Sequence, residues 1–428
     1  MFYGIMEGTK VIRQNTGSHW EEYYNILSSR MKEKMCKILQ VHNYYQIPGG
    51  EDTVVANEKA MLERNGHTVI QYTRNNSELK EFGILRKILL PFTTVFNYRT
   101  FKEVSKLIES ENIDIVHVHN TLNLISPAVY YAAIKKGIPV VQTIHNFRLL
   151  CPGATFYRDG YICEDCVKKG LVCAVKHKCY RGSFAQSLIC AVNTKIHRLT
   201  GIYGKLSYIC LTDFNKSKLI QLKQIKEENV YVKPNFVSGE TGISVIPTSE
   251  RKDRIVFAGR LDKLKGIDKL LQQWTNAMAT NNEMKLVICG TGPLEQWCRE
   301  FISTNSLSNV EMKGFIPNDE MKRIIAESKA IILPTQWYEG FPMTIVEAYS
   351  VGTPVIGSNM GNVSDLIVEG KTGIKVDFDD RDALDIVSDK LRSYALDSDV
   401  IRGYYNNKYL EEQNYKSMMN IYTRVLGC

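Results

Sequence analysis

Two glutamates, Glu339 and Glu347, stand eight residues apart in Tyr338-Glu339-Gly340-Phe341-Pro342-Met343-Thr344-Ile345-Val346-Glu347-Ala348. An apolar run, Ala330–Pro334, leads into this stretch, and Thr353-Pro354-Val355-Ile356-Gly357 follows it. The pattern predicts a strand, a Gly-Phe-Pro turn and a helix start. A helix start offers free backbone N–H groups and the positive end of a dipole, which suits an anion such as a diphosphate. Glu339 falls on the loop at the mouth, and Glu347 falls about one turn or more inside the helix. The chemistry that fits is the binding of a phosphate flanked by hydroxyls, as in a nucleotide sugar.

Other stretches offer charge or close backbone approach. Gly259-Arg260-Leu261-Asp262-Lys263-Leu264-Lys265-Gly266 follows a predicted strand and opens a helix. Arg260 and Lys265 share that loop and suit one diphosphate, the first as a fork and the second as a point charge. Two ordinary loop cations are the competing reading. Gly290-Thr291-Gly292-Pro293 follows the run Leu286–Cys289 and allows a ligand close to the backbone, with a plain turn as the competing reading. Pro48-Gly49-Gly50-Glu51-Asp52-Thr53 follows the first strand and precedes a helix, so Gly49 and Gly50 suit an anion or a tightly held sugar; a tight turn competes. His117 and His119 alternate along Val116-His117-Val118-His119-Asn120 and face opposite sides of a sheet. His119 and Asn120, nearer the strand end, are placed on the acceptor side of a cleft. His117 reads as a hydrogen-bonded structural group.

The elements that must position these residues form two successive series. Strands are predicted at 37–42, 67–73, 114–120, 139–144, 208–212 and 230–233, with amphipathic segments such as Thr53–Asn65 and Thr100–Ser110 between most of them. A second series runs through 254–259, 284–289, 309–313, 330–334, 353–357 and 373–376. Apolar strands alternating with helices mean parallel sheets covered on both faces. The expected fold is therefore α/β, with two facing Rossmann-like domains and a cleft between them at the strand C-terminal ends. The expected divisions are an N-terminal extension over 1–34, loosely ordered, a front domain over 35–236, and a rear nucleotide-sugar domain over 237–408. A final helix is expected over 409–428. The junction is at Lys233-Pro234-Asn235-Phe236, before a Gly/Ser/Thr/Pro-rich link.

The Glu339…Glu347 stretch resembles the E-x7-E motif of the retaining glycosyltransferases of family 4, which have the GT-B fold. The resemblance extends from about Lys37 to the C-terminus. It implies that Arg260 and Lys265 neutralise a leaving nucleoside diphosphate, that Glu347 accepts hydrogen bonds from the ribose, and that Glu339 lies beside the donor sugar. Gly340, Phe341, Pro342 and Met343 would contact the sugar, and Thr344 and Ile345 the phosphates. Phe315 and Ile316, in Gly314-Phe315-Ile316-Pro317, would read the base, with Gly290 nearby. Gly49 and Gly50 correspond to the family's Gly-Gly loop. His145, in Thr143-Ile144-His145-Asn146-Phe147-Arg148, would contact the donor sugar. The final helix would cross back to the first domain. The reaction implied moves a hexose-like unit from a UDP- or GDP-type sugar to an acceptor hydroxyl, with no required metal or other cofactor. Some bacterial polysaccharide transferases of the family resemble the chain at Cys179-Tyr180-Arg181-Gly182-Ser183 too, with no catalytic role implied for that segment; the acceptor expected is a saccharide or lipid-linked saccharide in surface polysaccharide synthesis.

The 428 residues suffice for two or three domains, and a hydrophobic content of 44% is that of a globular protein. No apolar run of about 18 residues and no signal-peptide pattern is present, so the protein is expected in the cytoplasm, with the inner face of the cell membrane as the place of a lipid-linked acceptor. The net charge of +8 is uneven: residues 35–235 hold 27 Lys and Arg against 16 Asp and Glu, and residues 236–428 hold 22 against 26. A basic front half suits an anionic membrane, a lipid-linked pyrophosphate or nucleic acid, or is merely a solvated surface. No groove- or base-reading motif supports nucleic acid. Phe82–Lys102 mixes apolar and basic residues and reads either as a membrane-lying segment or as a core-packing helix pair that Pro91 divides. Cys151, Cys163, Cys166, Cys173 and Cys179 lie in an insertion over 151–182 and are read either as a structural zinc site or as reduced or transiently oxidised thiols. Asp377-Phe378-Asp379-Asp380 reads as a helix cap and not as a metal site. Two further functions stay open: a GT-B nucleoside-diphosphate-sugar epimerase, and a zinc-stabilised nucleic-acid-binding protein.

Overall fold

Runs rich in Val and Ile form strands buried on both faces because a helix follows most of them and returns the chain over the sheet. The computed structural model describes residues 35–46, 49–237, 242–277 and 284–427. The predicted extension over 1–34 lies outside the described residues.

The front domain begins with β1 (Lys37–Tyr44), α1 (Gly50–Arg64), β2 (Thr68–Asn75), α2 (Ile84–Val95) and α3 (Tyr98–Glu111). It continues through β3 (Ile115–Asn120), α4 (Ala128–Lys135) and β4 (Val140–Ile144). The Cys-rich insertion follows as a two-residue-per-arm antiparallel hairpin, Tyr157–Arg158 with Tyr161–Ile162, and two short helical segments, Asp165–Lys168 and Val172–Lys176. Then come α5 (Phe184–Leu199), β5 (Ser207–Cys210), α6 (Asp213–Leu219) and β6 (Val230–Val232). The strands pair in parallel in the order β2-β1-β3-β4-β5-β6. On β1, Leu39 is flanked by Ile70 on one side and Val116 on the other.

The rear domain repeats the plan. Its elements are β7 (Lys252–Ala258), α7 (Ile267–Ala277), β8 (Lys285–Cys289), α8 (Glu295–Thr304), β9 (Val310–Gly314), α9 (Asn318–Ala326) and β10 (Ser328–Leu333). They are followed by α10 (Met343–Ser350), β11 (Val355–Ser358), α11 (Gly361–Leu366), β12 (Gly373–Val376), α12 (Ala383–Ser393) and α13 (Ser398–Lys408). All six strands are parallel, in the order β9-β8-β7-β10-β11-β12. The expected pair of parallel Rossmann-like sheets is thus the observed architecture.

Strand order reverses between β1 and β3 in front and between β7 and β10 behind. Ligands of open α/β sheets sit outside the strand C-termini at such switch points. Asn120 ends β3, Gly49 and Gly50 stand at the start of α1, and the loops that leave β7 and β10 carry Arg260, Lys265 and Glu339.

The last helix, α14 (Glu411–Leu426), packs on the front domain. Its Tyr415, Met418 and Tyr422 share one core cluster with Ile38, Met61, Ile209 and Phe236. A buried ion pair fixes this return. Lys233, just past β6, and Glu58, on the inner face of α1, are both fully buried and 2.8 Å apart. Asn414 of α14 accepts a second bond from Lys233 at 2.9 Å and donates to the carbonyl of Pro234. His117 bridges Tyr422 of α14 and Thr143 of β4, at 2.8 and 2.7 Å.

Two local readings need correction. Pro91 does not divide Phe82–Lys102 as expected: α2 runs through it from Ile84 to Val95. The carbonyl of exposed Lys87, which would have received the missing N–H, lies on a surface helix where water can take its place, and the helix continues for one more turn past the proline. Nor is α2 a core-packing helix, since Thr94 is its one buried residue. The Asp377–Asp380 segment forms turns instead of a side-chain cap: Asp377 accepts from the N–H of Asp379, and α12 starts only after Asp382.

Removing one partner of a buried ion pair strands the other charge, at a cost of about 3–5 kcal/mol. Lys233→Met should therefore lower stability by about that amount and loosen α14. Lys233→Met with Glu58→Leu should regain most of it. Urea unfolding followed by hydrogen exchange of residues 411–426 checks this; equal stability of the single and double variants would contradict it.

Candidate active site

On the rear side, the loop after β7 is packed onto the end of β10. Gly266 has φ +70°, and a Cβ there would lie 1.9 Å from the carbonyl oxygen of Pro334. Gln336 donates its N–H to Leu264 at 2.8 Å. Asp262 accepts the N–H of Lys265 at 2.9 Å and also pairs with Arg260, whose side chain is mostly exposed. This cap aims Lys265 at Glu339: Nζ stands 2.7 Å from Oε2. Glu339 is 5% exposed, and its other oxygen, Oε1, is buried with no partner among the described residues.

The helix α10 starts after Pro342, and Ile345 N–H is bonded to Pro342. The N–H groups of Met343 and Thr344 precede the helical ladder, as at any helix start. Glu347 lies on α10, half-buried. Burial raises its pKa, against the lowering effects of the Lys322 charge and a hydrogen bond from Asn318. At the end of β9, Phe315 is exposed and Ile316 is half-buried. Gly290 and Gly292 have a reason the sequence did not show: added Cβ atoms would lie 1.9 Å from the Gly259 oxygen and 2.5 Å from the Leu261 oxygen. Close packing of the two loops requires them.

On the front side, Gly49 caps α1 in an extended conformation, φ −134°. Any residue adopts that φ, and a Cβ at Gly49 or Gly50 would meet nothing within 4 Å among the described residues. Among the described residues, neither the backbone of Gly49 nor packing calls for glycine here. Asp52 accepts the Gly49 N–H and also meets His42 Nε2 at 2.8 Å. The neighbouring Glu51 is bonded to Tyr45, and burial pushes its carboxyl up to about 8.

His145 follows β4. Its Nε2 lies 3.0 Å from Nδ1 of His119, and the rings stack. His119 Nε2 in turn faces Glu58 Oε2 at 3.5 Å, and neither atom has a hydrogen-bond partner among the described residues. A buried row thus runs Lys233, Glu58, His119, His145. Burial, followed by neighbouring positive charge, lowers the pKa of His145 to about 3 and that of His119 well below its usual value. Asn120 is occupied by main chain: it donates to Asn43 and accepts from Leu122. His119, Asn120 and His145 line a cavity of about 60 Å³ with Asn193 and Thr194 of α5.

The loop holding Glu339 and Gly340 meets the loop holding His145. A Cβ on Gly340 would lie 2.1 Å from the His145 carbonyl oxygen. Asn362 donates to the carbonyls of Glu339 and Gly340 and to Asn215 of the front domain, and accepts from Thr212. Asn215 donates to the Gly340 carbonyl at 3.0 Å. Tyr338 packs edge-on against Phe214 at 4.7 Å. Sequence reading missed this clasp, because nothing local marks Thr212, Asn215 or Asn362. It also missed Glu58, although a glutamate in the row Val54, Val55, Met61, Leu62 occupies a core-facing position of α1.

The insertion's cysteines are free thiols. Among the described residues, the one trio of His, Cys, Asp or Glu ligand atoms within 4.8 Å of one another is Glu58, His117 and His119. The Lys233 ammonium, 2.8 Å from Glu58, already supplies the cation there. The zinc reading of the cysteines gains no converging set of sulfurs.

Residues 48–168 match the family model Glycosyltransferase Family 4, and residues 241–399 match Glycosyl transferases group 1. A Klebsiella pneumoniae protein described as an uncharacterized 41.2 kDa protein in the cps region is 24% identical, over 89% of this chain and 98% of its own. A crystal structure of a glycosyltransferase from Rickettsia africae superposes with TM-score 0.63 at 19% identity, over 92% of this chain and 99% of that one. Anabaena HepE in complex with UDP superposes with TM-score 0.60 at 14% identity, over 91% and 100%. The fold is GT-B.

Two outcomes follow from the geometry. Gly340→Ala forces a methyl into the His145 carbonyl and should part the two loops, cutting activity at least about tenfold while each sheet stays folded. Small-angle scattering and circular dichroism read the two effects separately; unchanged activity would contradict the contact. The second concerns pH. His117, held at about 4 by burial, together with His119 and His145, stays neutral in the fold. The unfolded chain protonates them near pH 6.5, so it binds more protons between pH 6.5 and about 4. Their stabilising contribution is complete above pH 6.5 and is lost as pH falls. Glu51, raised to about 8, acts in the opposite sense, losing its contribution as pH rises toward 8. Thermal stability should peak near pH 6.5–7, and a flat Tm between pH 7 and 5 would contradict neutral burial of the histidines.

Proposed function

We propose that this chain, which belongs to the GT-B glycosyltransferases and joins a family 4 domain to a group 1 domain, moves a hexose-like sugar from a nucleoside diphosphate sugar to an acceptor hydroxyl with retention of configuration. The observation that carries this reading is the Glu339 carboxylate, fixed by Lys265 at 2.7 Å while its buried Oε1 has no partner among the described residues. Such an oxygen is a prepared acceptor for a sugar hydroxyl, because an unmet buried acceptor costs free energy that a ligand O–H returns.

Around it, Arg260, Lys265 and the α10 start would take the diphosphate charge, and electrostatic stabilisation of the leaving group is the main task in such a transfer. Glu347 would accept the ribose hydroxyls; its raised pKa fits a carboxyl that waits for donors. Phe315 and Ile316 would border the base, with the main chain of Gly290 beside it. Gly340, Phe341, Pro342 and Met343 would contact the sugar through main chain, and Thr344 and Ile345 the phosphates. His145 would touch the sugar from the front side, held in orientation by His119. The open space over Gly49 and Gly50 would admit the donor–acceptor junction. The acceptor attacks from the face that the diphosphate leaves, and the departing phosphate oxygen takes its proton, so no protein base and no metal is assigned. The UDP bound by the Anabaena neighbour supports a uridine donor. The cps-region relative supports a role in surface polysaccharide synthesis; within that reading the acceptor would be a saccharide or lipid-linked saccharide at the inner face of the membrane.

A panel of UDP- and GDP-sugars, scored for nucleotide release with wild type and Glu339→Ala, tests the reading. Release from one donor should fall about 100-fold or more in the variant, as for loss of a prepared electrostatic contact. Release that Glu339→Ala leaves untouched would overturn it. Conversion of the donor to an isomeric nucleotide sugar without release would favour an epimerase.

A further inference from the structure

The helix α5 turns a row of large apolar side chains outward and buries mostly small or polar ones. Its inner face is mixed: Ser187, Asn193, Thr194 and His197 are buried beside Cys190 and Ala191. Its outer face is apolar: Phe184, Leu188, Val192, Ile196 and Leu199 follow one another at helical spacing and are all exposed. The neighbouring α2 repeats the pattern. It buries Thr94 alone and exposes Ile84, Leu85, Ile88, Leu89 and Phe92. Across both rows the exposures run from 39% to 81%. His197 holds the helices together, its Nε2 donating to the carbonyl of Val95, the last residue of α2, at 2.9 Å while Nδ1 accepts from Tyr131. Soluble monomers rarely expose so continuous an apolar surface without something to cover it.

Charge narrows the choice of cover. From Phe82 to Lys102 there are four basic residues and no acidic one; from Cys166 to Thr212 there are eight and none. Arg86, Lys87 and Lys195 stand exposed on the two helices themselves. Arg99 is paired with Glu103, but Arg86, Lys87 and Lys195 make no ion pair among the described residues, and an apolar row edged by such charges matches acyl chains below a layer of negative head groups. A second copy of this chain would bring the same positive edge against itself, which electrostatics opposes.

We infer that α2 and α5 together form a docking surface for an anionic phospholipid bilayer, with both helices lying in the interface plane and Arg86, Lys87 and Lys195 at head-group level. The opposite face of α5 carries Asn193 and Thr194 into the cavity that also holds His119 and His145. One helix therefore separates the lipid from the front half of the candidate site. This deepens the lipid-linked acceptor reading but draws on different residues.

The test uses the full chain and vesicles of phosphatidylcholine with or without phosphatidylglycerol. Co-sedimentation is expected with the anionic vesicles at low salt and should weaken steeply with added salt. The combined variant Ile88→Gln, Phe92→Gln, Leu188→Gln, Ile196→Gln changes exposed positions only. It should keep its Tm and lose binding by about tenfold or more, given the apolar area withdrawn. Arg86→Glu with Lys87→Glu and Lys195→Glu should abolish the preference for phosphatidylglycerol. Equal binding by all variants, no binding to anionic vesicles, or a wild-type dimer that the glutamine variant converts to monomer would each overturn the inference. Nucleotide release from a soluble donor without vesicles is the separate readout: both variants should match wild type. Vesicle binding without any donor turnover would leave the surface standing and remove the transferase reading; turnover without vesicle binding would do the reverse.

Discussion

The contact between Lys233 and Glu58 organises more of this molecule than any other pair of side chains. It lies where the front sheet ends, where the chain departs for the rear domain, and where the final helix comes back. A charge pair sealed from water is a poor source of stability, since desolvation offsets most of the attraction. Its value is directional. Lys233 has three N–H donors, and Glu58 and Asn414 take two of them from fixed positions. The remaining oxygen of Glu58 is left to His119, and so the requirement for a neutralised interior extends to the histidines behind the cleft.

The architecture was largely legible in the sequence because parallel strands announce themselves as short apolar runs, and the twelve strands fall within about two residues of where those runs lie. Loops at strand ends were legible for the same reason: once the order of strand and helix is known, Arg260, Lys265 and Glu339 must emerge on one side of the rear sheet. What escaped was everything that depends on two distant segments meeting. Asn362 and Asn215 are 147 positions apart, and neither has a neighbour that betrays a bond across the domains. Gly290 and Gly292 showed a need for closeness without naming the partner, which is the adjacent loop. Glu58 was visible as a misfit in an apolar row, yet its counterpart Lys233 reads locally as an ordinary strand end. Pro91 misled because a proline's effect depends on whether the orphaned carbonyl can reach water, and exposure is a tertiary property.

The two halves divide the labour by rigidity. The rear loops are pinned glycine against carbonyl, so Lys265 and Glu339 are held in place before anything binds. The front contributes a histidine supported from behind and a glycine pair with open space over it. One wall is preset and the other has room, an arrangement that fits a site where one substrate is held while a second arrives. The clasp of Thr212, Asn215 and Asn362 then registers one wall against the other through buried side-chain amides and a hydroxyl that meet one another and the carbonyls of Glu339 and Gly340.

The return of α14 carries a consequence for how the protein is made. The hydrogen bond from Tyr422 to His117 spans 305 positions, and the cluster around Ile38 and Phe236 lacks Tyr415, Met418 and Tyr422 until those residues exist. During synthesis the front sheet emerges first, but the face that α1 covers in part stays incomplete while about 170 residues of rear domain are added, some ten to thirty seconds at ordinary elongation rates. The rear domain needs nothing from α14 and closes earlier. The half of the molecule that is translated first is therefore the half that matures last, and an emerging chain is in need of shelter throughout that interval.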